Sequence, residues 1–94
     1  MTNTVHNFFR TRLIYKVSKY IAERRNKLLA DLVAYSNDST RYNRRVRMLH
    51  ELATYEAQII TQISTFATDD FTDLTNMVEL SIYQDIAVLV DPDA

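Results

Sequence analysis

The chain contains no glycine, and its single proline, Pro92, stands close to the C-terminus. Average usage would place roughly six or seven glycines in a chain of this size. Glycine takes up positive φ at little cost, so tight hairpins and close backbone approaches to phosphate depend on it. A P-loop, a dinucleotide-binding fingerprint and an EF-hand loop are therefore excluded, and two-residue β-hairpins are disfavoured. No proline interrupts helical hydrogen bonding between residues 4 and 90. The expected fold class is all-α.

Two polar clusters divide this potential helix. "SNDST" (36–40) offers Asn37, Asp38 and Ser39 as N-caps, and "TDDFTD" (68–73) offers Thr68, Asp69, Asp70 and Thr72. They delimit helices over about 4–36, 40–67 and 71–90. Connections this short favour antiparallel neighbours, which predicts an up-down-up three-helix bundle. The 94 residues suit one domain, 1–94, ending in a short tail at 91–94. Its core is expected to be thin.

Apolar spacing assigns the faces. The first helix has one stripe of Leu13, Ile14, Val17, Tyr20, Ile21, Leu28, Leu32 and Tyr35. Its second sector, Phe8, Tyr15, Ala22, Leu29 and Val33, either receives the third helix or is surplus surface for a partner helix or a homodimer. The second helix has adjoining stripes, Tyr42–Val46–Leu49–Ala53–Ile60–Ala67 and Met48–Leu52–Tyr55–Ile59–Ile63–Phe66, as expected of a helix contacting both neighbours. The third has Phe71, Leu74, Val78, Ile82, Ile86 and Leu89.

A net charge of −1 conceals a division between the halves. Residues 1–50 carry all eleven Lys and Arg against three acids, and residues 51–94 carry nine acids and no Lys or Arg. Antiparallel packing would set the acidic third helix beside the basic first one and compensate much of this internally. Arg24 falls within the apolar stripe of the first helix. Heights along the bundle predict an interhelical ion cluster of Arg24 with Asp85 and Glu56, which would fix helix pairing more than add stability. By the same reasoning Arg10 comes near Asp70 and Asp73.

Two surfaces are candidates for binding. "RYNRRVR" (41–47) concentrates Arg41, Arg44, Arg45 and Arg47, and the hairpin brings Arg25 and Lys27 towards them. Arginine forks fit phosphates, and Tyr35 or Tyr42 could stack on a base, so this basic pole is a candidate nucleic-acid site. The outer face of the third helix is the candidate protein interface: Asp73, Met77, Leu80, Tyr83 and Ala87, flanked by Val88 and rimmed by Glu79 and Asp91.

Catalytic and metal chemistry find no matching pattern. His6 and His50 lack a ligand partner at suitable spacing, and "LHELATYE" has Thr54 where a zinc-protease helix needs its second histidine. "TDDFTD" lacks the glycine and terminal glutamate of a calcium loop. There is no cysteine, hence no disulfide or thiolate site. The longest apolar run, Ile86–Val90, is far short of a membrane span. Arg10, Arg12, Lys16 and Lys19 precede the first acid as in an organelle transit segment, but they share a helix with core periodicity, and no secretory signal is apparent. The expectation is a cytoplasmic, non-enzymatic regulator or inhibitor without metal or cofactor, whose partner is another protein. An accessory protein of a phage or mobile element that blocks a host factor would fit this description. The alternatives are a nucleic-acid-binding module and a self-assembling structural subunit.

Overall fold

The computed structural model describes residues 2–65 and 71–91, with side chains over 8–65 and 77–91. Three helices follow in order, α1 (Thr2–Ala34), α2 (Ser39–Thr65) and α3 (Phe71–Leu89), and no strand occurs among the described residues. The helices pack against one another as a three-helix bundle, as the glycine-free sequence predicts.

The turn between α1 and α2 shows how a chain without glycine reverses direction. No described residue has positive φ, so α1 does not end in the left-handed cap that glycine usually supplies. Instead Tyr35 N–H closes on the Asp31 carbonyl and Asp38 N–H on that of Tyr35, 2.8 and 2.9 Å. Asp38 then opens α2. Its carboxylate accepts from Arg41 N–H at 3.1 Å and its carbonyl from Tyr42 N–H at 2.8 Å. Of the three candidate N-caps, Asp38 takes the role, which satisfies donors that α2 cannot satisfy itself. The candidates Thr68, Asp69, Asp70 and Thr72 lie outside the described side chains.

The core is drawn from one face of each helix. Leu13, Val17, Ile21 and Leu28 of α1 meet Met48, Leu52 and Ile63 of α2 and Ile82 and Ile86 of α3, all buried. Helix α1 packs against both α2 and α3, whereas α2 and α3 touch sparsely. This narrows the expectation that α2 uses both stripes against its neighbours: of the second stripe, Leu49 packs against the core and Ile60 is half-buried. The Met48–Leu52–Ile63 stripe is core, while Tyr42, Val46 and Ala53 of the other stripe are exposed. With α1 between them as the shared helix, α2 and α3 need only one apolar face each.

Contacts between α1 and α3, Lys16 with Glu79 and Tyr20 with Tyr83, hold one offset between these helices. At that offset Leu89 comes level with Asn26, so α3 ends well below the α1–α2 turn. The tip of the α1–α2 hairpin projects beyond it, consistent with a long, narrow molecule, 56 × 19 × 16 Å.

Candidate functional site

Opposite charges meet along the two seams that α1 makes, and Arg25–Glu56 and Lys16–Glu79 join the basic half to the acidic one. Between α1 and α2, Arg25 donates to Glu56 at 2.9 Å, and Arg45 Nε donates to Asp31 at 3.1 Å. Between α1 and α3, Lys16 Nζ lies 3.5 Å from Glu79. Glu79 also accepts the Tyr83 hydroxyl proton at 2.8 Å, and the Tyr83 ring lies against Tyr20 with centroids 4.6 Å apart. Arg24 completes this ladder by donating to the Tyr20 hydroxyl at 2.9 Å. Between α2 and α3, the Tyr55 hydroxyl makes a long hydrogen bond to Asp85, 3.4 Å. Burial pushes the Tyr55 and Tyr83 hydroxyls up to about 12, reinforced by Asp85 and Glu79 respectively, since each carboxylate accepts the phenol's proton and repels a phenolate.

The predicted cluster of Arg24, Glu56 and Asp85 is therefore not assembled. Glu56 goes to Arg25, Asp85 to Tyr55, and Arg24 folds back along α1, its guanidinium 5.0 Å from the centre of the Tyr20 ring. An intrahelical partner four residues away keeps Arg24 at the α1–α3 edge beside Lys27, Asp31 and Val90. The arginine that does enter the bundle is Arg45, only 6% exposed. It is held by Asp31, by the Arg41 carbonyl at 3.1 Å and by the Tyr35 ring at 4.4 Å. A signal for this pair lay in the spacing. Arg45 precedes Met48 and Leu52 by three and seven positions, and Asp31 follows Leu28 by three, so each continues a core stripe.

This pairing dismantles much of the predicted basic pole. Arg25 and Arg45 are committed to carboxylates. Arg41 lies 3.6 Å from Asp38 and 5.2 Å from the centre of Tyr35, so the Tyr35 ring contacts two guanidiniums, while Tyr42 is exposed. Lys27, Arg44 and Arg47 are exposed. Arg47 and Glu51 are not joined as an ion pair. With His50 and Gln58 they line an open groove beside Leu89. His6 and the Arg10–Asp70–Asp73 proximity involve side chains outside the described set. Among the described residues, no three His, Cys, Asp or Glu gather as metal ligands, and no helix is long and apolar enough to cross a membrane.

The outer face of α3 has the opposite character. Met77, Leu80 and Val88 are 68%, 59% and 70% exposed, and Ala87 is exposed among them. Tyr83 is half-buried beside this patch, with its hydroxyl and ring engaged at the α1–α3 seam. Asp73 lies outside the described side chains. The second sector of α1 is uncovered as well, with Phe8, Tyr15, Leu29 and Val33 exposed and only Ala22 half-buried. Helix α3 lies on the other side of α1, so the surplus-surface expectation describes this sector. Neither the sequence nor the fold of the chain matches a family model, a curated protein or a solved structure.

Proposed function

We propose that this chain is a small non-enzymatic regulator or inhibitor, acting in the cytoplasm, that binds another protein through the outer face of α3. One observation carries the reading: Met77, Leu80 and Val88 stand more than half exposed on one side of a helix that bears no lysine or arginine. Apolar side chains of this size cost free energy in water, and covering them is the main gain available to a protein interface. The bundle makes no use of them, since α3 reaches the core through Ile82 and Ile86 on its opposite side. The basic pole supports a nucleic-acid reading less well, because Arg25 and Arg45, two of its six cations, are spent on internal pairs.

Site-specific photo-crosslinking in cells of the source organism tests this reading. A photoreactive residue at position 80 is expected to give a discrete protein adduct that is lost when Met77→Asp is added. The same residue at position 47 is expected to give none. Adducts to nucleic acid at 47, with nothing at 80, would overturn the reading in favour of the arginine pole.

A further inference from the structure

The three helices are not held together with equal strength. Across the α1–α2 seam stand two carboxylate–arginine pairs, Arg25 with Glu56 at 2.9 Å and Arg45 with Asp31 at 3.1 Å. The second is built past the end of α3. Leu89 ends α3 level with Asn26, and Asp31 lies more than one helical turn further on. There Arg45 is buried against the Tyr35 ring, and beyond it Asp38 caps the start of α2. The hairpin thus carries its own closure at the tip. Helix α3 is tied by longer polar contacts, Lys16 to Glu79 at 3.5 Å and Tyr55 to Asp85 at 3.4 Å, beside the ring contact of Tyr20 with Tyr83. It touches α2 sparsely and is the shortest helix, 19 residues against 33 and 27. An open groove of about 440 Å³ runs between α2 and Leu89, so water reaches the Tyr55–Asp85 hydrogen bond.

Local opening follows such differences. A unit with sparse contacts and exposed hydrogen bonds separates at a lower free energy than the whole molecule. We infer that α3 is a releasable strap, which opens as one unit while the α1–α2 hairpin stays closed. Opening withdraws Ile82 and Ile86 from the core. It bares to water one side of Ile21 and Leu52, which are completely buried with α3 in place. The apolar groove of the hairpin is therefore presented only in the open form, and α3 is the segment that covers it. The inference does not need the outer face of α3 to bind anything, so it stands or falls separately from the proposed function.

Amide hydrogen exchange of the intact chain, read residue by residue by NMR, tests it. Corrected for intrinsic rates, the amides of Ile82 and Ile86 are expected to exchange at least about tenfold faster than those of Ile21 and Leu52. Asp38→Ala then separates a strap from a cooperative bundle. It weakens α2 at its N-cap, beyond the reach of α3, so an opening that leaves the hairpin intact does not feel it. Exchange at Ile21 and Leu52 should rise about fivefold, and exchange at Ile82 and Ile86 should not change. If the cap change proves too small to read, Asp31→Ala repeats the test with a larger effect. Equal protection in all three helices, or α3 amides that speed up in step with the hairpin in either variant, would overturn the inference.

Discussion

Removing the Asp31 carboxylate leaves Arg45 charged, buried and without its acidic partner. Asp31→Ala is expected to lower stability by about 2–3 kcal/mol, less than a fully buried pair would lose because the Asp31 side chain is 30% exposed. Adding Arg45→Met should recover most of that loss, and urea unfolding of the two single variants and the double variant measures the coupling. Arg24→Ala and Asp85→Ala should instead be additive to within about 0.5 kcal/mol, since these residues go to Tyr20 and Tyr55 rather than to each other. The tyrosines add a pH dependence. Folding raises the pKa values of Tyr55 and Tyr83 from 10.0 to about 12, so their contribution is complete below pH 10 and is lost as pH rises from 10 towards 12. Tyr83→Phe should flatten part of that alkaline loss in a series of unfolding curves, and an unchanged slope would mean that neither burial nor Glu79 holds the phenol in its neutral form. At this scale the sequence was only partly legible. Arg24 and Arg45 both continue an apolar stripe, and spacing alone does not say which guanidinium finds a carboxylate across the bundle and which turns back to its own helix.

Helices were far more legible, because the absence of glycine and of any proline before position 92 leaves helix as the one regular structure readily available. The ends moved by only one or two residues where they are described. The first helix stops at Ala34 rather than near position 36 because the turn closes on Asp31 and Tyr35 carbonyls before Asp38 caps α2. Asp38→Ala should therefore cost about 1 kcal/mol, read as a lower melting temperature. What the pattern could not settle was which of two apolar stripes on α2 is core. Leu52 and Val46 belong to different stripes, and the fold buries Leu52 completely while leaving Val46 exposed. Leu52→Ala is expected to cost about 3 kcal/mol or more, and Val46→Ala well under 1 kcal/mol. Equal costs in thermal unfolding would mean that α2 is rotated from the orientation described here.

Across the whole molecule, the charge division visible in the sequence resolves into two uses. Part is consumed at the seams, where Lys16 and Arg25 of the basic half meet Glu79 and Glu56 of the acidic half, while Arg45 pairs with Asp31 inside the basic half. The rest marks the outside, with Arg12 and Lys19 on the bare sector of α1 and no cation along α3. The structure showed which apolar sectors stay uncovered, a matter of how three rods share one core and therefore beyond any single helix's periodicity. We propose that the outer face of α3, and not the arginine pole, is the working surface. Photo-crosslinking in cells from position 80, with Met77→Asp as its control, tests it most directly. A discrete protein adduct should form at position 80, disappear with Met77→Asp and persist when Arg44→Glu and Arg47→Glu are introduced. No adduct at position 80, or one abolished by those two arginine changes, would contradict it.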